Sequence, residues 1–184
     1  TTGDLDSTFL PTTGFNGDIF SLIYDSANTA LYVGGNFTTY KGTTRQYVAK
    51  LNATTAALDA TFNTSTGFTA TIYKIIYDGP SAVYMGGAFP GTYKGNARYL
   101  IAKANSSTAA IDATFVPSAG GGGGTGDLVY DMALDTVNGT LYVGGAFRGF
   151  SGISRKNLAK LNSSTGACIT AFVDNNIGRT VYSL

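Results

Sequence analysis

The stretch Leu31-Tyr-Val-Gly-Gly-Asn-Phe37 decides the fold, because it returns as Val83-Tyr-Met-Gly-Gly-Ala-Phe89 and again as Leu141-Tyr-Val-Gly-Gly-Ala-Phe147. The β-rich run leading into each glycine pair reads as a strand. Glycine inside a strand pattern marks a bulge or a close approach of backbone. Sheets packed face to face need such thin positions. The pairs are not a phosphate loop: no Gly-Lys-Ser/Thr follows them and no helix is signalled.

Two further lines of self-similarity flank this one. Val48-Ala-Lys-Leu-Asn52 returns as Ile101-Ala-Lys-Ala-Asn105 and Leu158-Ala-Lys-Leu-Asn162. Leu58-Asp-Ala-Thr-Phe62 returns as Ile111-Asp-Ala-Thr-Phe115, is foreshadowed by Leu5-Asp-Ser-Thr-Phe9 and echoed by Cys168-Ile-Thr-Ala-Phe172. The starts of this last line, 5, 58, 111 and 168, lie 53, 53 and 57 residues apart. A fixed period of this size means a repeat architecture. Each unit reads as four segments. Segment a is Ile19 to Tyr24, Ile72 to Tyr77, Val129 to Leu134 and a partial Val181 to Leu184; b leads into Gly-Gly; c is the Ala-Lys run; d ends in Phe. The expectation is an all-β, β-propeller-like repeat of four-stranded antiparallel blades in a single domain, 1–184. Three complete repeats fall at about 16–62, 69–115 and 127–172, with partial strands at 4–9 and 179–184.

Composition agrees. Charged residues are only 12%, there is no Glu, and Thr, Tyr, Val and Ile are plentiful, which favours strands and turns. A net charge of +1 gives no electrostatic footprint for nucleic acid. No apolar run approaches ~18 residues, so membrane insertion is not expected. His is absent, which removes the usual general base and the commonest metal ligand. No cofactor, no metal and no catalytic residue is expected. The single cysteine, Cys168, stands where other copies carry Leu or Ile and reads as a small core residue.

The pattern Gly-Gly-x-Phe-Thr-x-Tyr-x-Gly…Arg…Ala-Lys-Leu-Asn…Leu-Asp-x-Thr-Phe resembles the delta-60 (DUF5122-type) repeat. The matching residues are Gly34, Gly35, Phe37, Tyr40, Gly42, Arg45, Ala49, Leu51, Asn52, Leu58, Asp59 and Phe62. The resemblance covers nearly the whole chain. It implies a β-propeller repeat of long bacterial surface proteins and says little about activity. The chain departs from the pattern at Cys168-Ile-Thr-Ala-Phe172, where the usual Asp is missing, and at the run Gly120 to Gly124.

Candidate ligand-binding residues lie in the b–c connections: Tyr40, Lys41 and Arg45; Tyr93, Lys94 and Arg98; Phe150 and Arg155. Aromatic faces stack on sugar rings, and Arg and Lys bind hydroxyls or carboxylates. The competing reading is structural: each Arg pairs with a segment-d acid such as Asp59 or Asp112, and repeats keep residues for packing first. Positions that differ between repeats, Gln46, Arg148 and Lys156, are the better binding candidates. Asp25, Asp78 and Asp135 read as turn initiators, and Asn52, Asn105 and Asn162 as turn residues.

The expected function is an extracellular recognition or adhesion module, of which a fibre head binding cell-surface glycans is one form. Its partners would be a cell-surface glycan or a surface protein. The alternative is a structural spacer in a large surface protein; an enzyme on a propeller scaffold ranks third. Three blades do not close a propeller, and soluble proteins avoid open edges. The expected assembly is therefore a homo-oligomer, with a trimer favoured, in which Arg179 to Leu184 strengthens the contact.

Overall fold

The structure is a computed structural model of the 184-residue chain, and it describes residues 6, 9, 13–64, 67–117, 126–173 and 177–184. The strands are β1 (Ile19–Asp25), β2 (Ala30–Gly35), β3 (Thr39–Tyr40), β4 (Thr43–Thr44), β5 (Val48–Asn52), β6 (Ile72–Asp78), β7 (Ala82–Tyr93), β8 (Asn96–Ala104), β9 (Leu128–Asp135), β10 (Thr140–Ala146), β11 (Gly149–Phe150), β12 (Ile153–Ser154) and β13 (Leu158–Asn162). Among the described residues the sole helical element is the short 3-10 turn Gly79–Ser81.

Segments a, b and c of each unit form an antiparallel three-stranded sheet: β1-β2-β5, β6-β7-β8 and β9-β10-β13. Among the described residues none of the sheets closes on itself. β1, β6 and β9 lie beside one another, so the sheets fan out from a common line of first strands. Each b–c connection carries a hairpin. It is the separate ribbon β3-β4 in the first unit and β11-β12 in the third, and it is continuous with β7 and β8 in the second.

Segment d departs from the expected fourth strand. It makes one bridge per unit, Leu51 to Leu58, Ala104 to Ile111 and Leu161 to Cys168, and then turns away. In the first two units the Asp that follows makes the turn; in the third, where Ile169 stands in its place, the Phe172 N–H bonds the Ile169 carbonyl at 3.2 Å. Asp59 Oδ1 accepts the Thr61 N–H at 2.9 Å and the Thr61 hydroxyl at 2.6 Å, and Asp112 holds Thr114 at the same distances. A short acid that binds the backbone two residues on makes a turn and withdraws the chain from the ladder. Val181 to Leu184 likewise forms no strand. The partial strand at 4–9 and the run Gly120 to Gly124 lie mostly or wholly outside the described residues.

Both glycines of each pair are explained by packing. A Cβ on Gly34 would meet Ile72 and Ile75 of the next sheet at 3.0 Å; one on Gly86 would meet Val129 and Met132. A Cβ on Gly35, Gly87 or Gly145 would strike the carbonyl of Asp18, Thr71 or Leu128 in its own unit. The first glycine thins the sheet for its neighbour, and the second lets β1, β6 and β9 cross close by. The segment-d phenylalanines fill the remaining space, packing edge-on to the segment-b tyrosines: Tyr32–Phe62 and Tyr84–Phe115 at 5.4 Å, Tyr142–Phe172 at 5.9 Å. Cys168 is half-buried against the core of the third unit.

Candidate functional site

The b–c connections are turns and core. Lys41-Gly42, Lys94-Gly95 and Ser151-Gly152 all have positive φ, between 47° and 79°. Two successive residues of this kind make the tight hairpin turn that matches strand twist, which is why the Gly is needed. Tyr40, Tyr93 and Phe150 are buried, so they offer no stacking face to a ligand. The Tyr40 hydroxyl donates to the Ala56 carbonyl at 2.7 Å and that of Tyr93 to Ala109 at 2.8 Å. Burial pushes the Tyr93 phenol far above its ordinary range. Phe150 has no hydroxyl, and Ser151 Oγ reaches the matching carbonyl of Gly166 at 3.4 Å.

The arginines follow the structural reading with a changed partner. Arg45 and Arg98 are buried. Arg98 Nη2 donates to the Asp112 carbonyl at 2.8 Å, and Arg155 Nη2 to the Thr170 carbonyl at 2.9 Å. The carboxylates belong instead to the Ala-Lys lysines: Lys50 lies 3.4 Å from Asp59, and Lys103 3.4 Å from Asp112. Lys41 and Lys94 lean over their own Tyr40 and Tyr93 rings, at 5.5 and 5.7 Å. Of the variable positions, Gln46 is half-buried, and Lys156 and Arg148 are exposed. Arg148 Nε sits 3.7 Å from Asp127 Oδ1. Gln46 is in the first unit and the other two are in the third.

The structure brings together a set that sequence reasoning passed over. The ladder between first and second strand slips one residue in every sheet, at Phe20, Tyr73 and Tyr130. A bulged residue is unpaired, and its side chain is aimed away from the regular alternation. The three rings therefore leave their sheets and meet each other. Phe20–Tyr73, Tyr73–Tyr130 and Tyr130–Tyr182 have centroids 5.3, 5.1 and 5.0 Å apart. Phe20 is 48% exposed and Tyr182 71%. A polar line runs next to this row. Ser21 Oγ accepts the Ile75 N–H at 3.0 Å, Lys74 Nζ lies 2.6 Å from Asp131 Oδ1, and Asp131 Oδ2 accepts the Leu184 N–H at 2.8 Å. Burial pushes the Asp131 carboxyl up, but Lys74 and the two N–H donors hold it below the usual carboxylate range. The signal was in the sequence: segment a carries an aromatic at this one position in all four copies.

A second repeated arrangement joins neighbouring sheets. The Tyr32 hydroxyl and Lys50 Nζ both donate to the Ser106 carbonyl of the next unit, at 2.6 and 3.3 Å. Tyr84 and Lys103 clasp Ser163 in the same way, at 2.7 and 3.4 Å. Each lysine also lies over its tyrosine ring, at 5.3 and 5.2 Å. Burial pushes the Tyr32 phenol up to about 12. Among the described residues, no group of three potential metal ligands forms and no helix is long and apolar enough to cross a membrane.

Residues 31–62 and 138–166 match the family described as a domain of unknown function (DUF5122) beta-propeller. Each of the two stretches is similar to this family. The matched stretches hold the b, c and d segments of the first unit and the b and c segments of the third. No curated protein matches the chain.

Proposed function

We propose that this β-propeller repeat chain is an extracellular recognition or adhesion module and not an enzyme. Its blades are three, each built on the four-segment pattern. The observation that carries this reading is the row of bulge aromatics, Phe20, Tyr73 and Tyr130, continued by Tyr182. Bulges that re-aim side chains gather at functional sites. The row is half-buried at Tyr73 and Tyr130 and exposed at its ends, Phe20 and Tyr182, and such ring surface suits the C–H faces of sugar rings. The ligand class is a neutral or weakly charged glycan or a surface protein; Lys74 and Asp131 neutralise each other beside the row. Nucleic acid does not fit a chain of net charge +1. The low charge and the Thr-rich composition support an extracellular setting.

The test is a glycan array probed with the intact chain and with Tyr73→Ala and Tyr130→Ala. Binding should fall at least about tenfold in each variant, the size expected for anchor residues. A second reading has its own support. The repeated residues of the b–c connections all serve turns and packing, as a structural spacer would need. An array without a single ligand would leave that reading in place of the first.

A further inference from the structure

The junction between units 2 and 3 holds a polar set that the repeat does not require. Tyr99 on β8 meets Asp127, which precedes β9, and Arg148, which follows β10. The Tyr99 hydroxyl donates to Asp127 Oδ2 at 2.9 Å, and Arg148 Nε lies 3.7 Å from Asp127 Oδ1. The Asp127 side chain is 4% exposed and that of Arg148 67%. Tyr99 is buried, and burial together with the neighbouring carboxylate pushes its phenol far above the ordinary range. The junction between units 1 and 2 is the control. Phe37, Phe89 and Phe147 align, as do Arg45, Arg98 and Arg155, so Gln46 stands in the place of Tyr99 and Pro90 in that of Arg148. The carbonyls that face the second glycine of each pair, those of Asp18, Thr71 and Leu128, align as well, which puts Ala70 in the place of Asp127. Gln46, Ala70 and Pro90 carry no charge, yet the two units join. A buried carboxylate is costly to desolvate unless a partner offsets the loss. Packing therefore does not explain Asp127.

What the set does is orient a guanidinium. Asp127 faces the Nε edge of Arg148, and Tyr99 holds the other oxygen of the same carboxylate. The Nη atoms of Arg98 and Arg155 are committed to backbone carbonyls of their own units. Those of Arg148 meet no acceptor among the described residues. A guanidinium fork matches the two oxygens of a carboxylate and binds them through paired N–H donors. Fixing the long side chain beforehand removes part of the entropy lost on binding. The place also fits. Asp127 stands three residues before Tyr130 of the aromatic row. That separation is about 10 Å of extended chain. Arg148 leaves β10 just beyond Gly145 and Ala146, which pair with Val129 and Leu128. The set and the row thus share one end of the sheet.

We propose that Arg148, held by Asp127 and Tyr99, is a carboxylate-binding subsite, and that the ligand is a glycan carrying a carboxylated sugar. The proposal rests on the glycan reading of the aromatic row and adds the charged part of the ligand. One sugar ring lies on the row, and the acidic sugar further along the same glycan reaches the Arg148 fork. Arg148 touches the ligand; Asp127 and Tyr99 are positioning residues. The acid beneath Arg148 balances its charge, so the site selects a carboxylate by its two-oxygen shape instead of drawing in every anion. An acidic peptide would use the fork and leave the row idle, which is why a sugar acid is the better occupant.

The experiment titrates the intact chain with short oligogalacturonate and oligoglucuronate, each beside its methyl ester. Calorimetry gives the affinities, and the NMR signal of the Arg148 Nε–H, assigned with Arg148→Lys, reports the site. At least one free acid should shift that signal and bind at least about tenfold more tightly than its ester, the size of one charge-assisted bidentate contact. Arg148→Ala should abolish this preference, and Arg148→Lys, which keeps the charge without the fork, should restore only part of it. Tyr99→Phe and Asp127→Asn leave Arg148 in place and should lower the acid-to-ester ratio several-fold, a readout that a purely structural role would not move. Near-ultraviolet circular dichroism checks folding, and Tyr99→Phe, which removes a single hydroxyl, stands in if Asp127→Asn does not fold. Tyr73→Ala should weaken acid and ester alike. An unmoved Arg148 signal with both acids, equal binding of acid and ester, or a preference that survives Arg148→Ala overturns the proposal. So does triaspartate, if it shifts the signal as strongly as the sugar acids. Neutral glycans that bind and are lost in Tyr73→Ala keep the reading of the row in any of these cases, so the two fail separately.

Discussion

Units 2 and 3 carry the same motif in different surroundings. In unit 2, Tyr84 and Lys103 reach a carbonyl of the next sheet, Lys103 meets Asp112, and the Gly86 position is packed under β9. In unit 3, Tyr142 and Lys160 have no such carbonyl among the described residues. Ile169 stands where Asp112 stood, its N–H bonding the Lys160 carbonyl at 2.8 Å as the Asp112 N–H bonds that of Lys103 at 2.9 Å. Gly144 lies under Val181 and Leu184, which form no strand. In a repeat array, stability is a sum of units and of the interfaces between them. The difference between the two units therefore isolates what an interface contributes from what a unit contributes.

The largest expected effect is at the thin glycines. Gly86→Val places two methyl groups where a Cβ alone would already be 2.9 Å from Val129 and 3.0 Å from Met132, in a sheet held by two partners. Overpacking of this kind costs about 3 kcal/mol. Gly144→Val collides with Val181 at an even shorter distance, but Val181 stands in no strand and can shift more easily than β9. Its cost should stay below about 1 kcal/mol. Urea unfolding of both variants measures the contrast. Equal losses would mean that Val181 and Leu184 are held as firmly as a strand.

This contrast bears on how much the sequence could say. The period, the three strands a to c and the need for thin Gly pairs were readable, because alternation and glycine placement are local consequences of strand geometry. In units 1 and 2 segment d is not a strand because Asp59 and Asp112 compete locally for the backbone, and Leu-Asp-x-Thr-Phe has the same apolar spacing in either case. The candidate site was less legible. Tyr40, Tyr93 and Phe150 look like surface aromatics in Gly-rich connections, and only the fold shows that the hairpin folds them inward. Arg45 and Arg98 are buried, and the acids expected to pair with them lie against Lys50 and Lys103. The bulge that re-aims Phe20, Tyr73 and Tyr130 lies opposite the glycine pair of a different strand, a pairing that only the sheet brings about.

A smaller effect separates the two tyrosines of the clasp. Tyr84→Phe removes the 2.7 Å bond to the Ser163 carbonyl, for a loss of about 1 kcal/mol. Tyr142→Phe removes a hydroxyl with no corresponding bond among the described residues, and should change stability by less than about 0.5 kcal/mol. Amide exchange at Ser164 and Thr165 should rise in the first variant alone.

The smallest effect is the most specific, and it concerns acid. Burial pushes the Asp112 carboxyl up, but the Thr114 hydroxyl and N–H and the nearby Lys103 hold it below the ordinary range, and Asp59 is held down in the same way by Thr61, Phe62 N–H and Lys50. A carboxylate depressed in the folded chain contributes stability above its unfolded pKa, about 3.9, and that contribution is lost as pH falls through the folded value. Units 1 and 2 should therefore weaken below about pH 4, while unit 3 has Ile169 at this position and no such term. Ile169→Asp would install the acid beside Lys160. The pair would be half-exposed, so the gain near neutral pH should be only a few tenths of a kcal/mol. That gain should vanish below the carboxylate range, whereas Ile169→Asn, which lacks the charge, should show no pH dependence of its own. A variant whose added stability persists in acid would show that the segment-d Asp acts only as a turn residue, and that the lysine pairs of units 1 and 2 are incidental to how their sheets hold together.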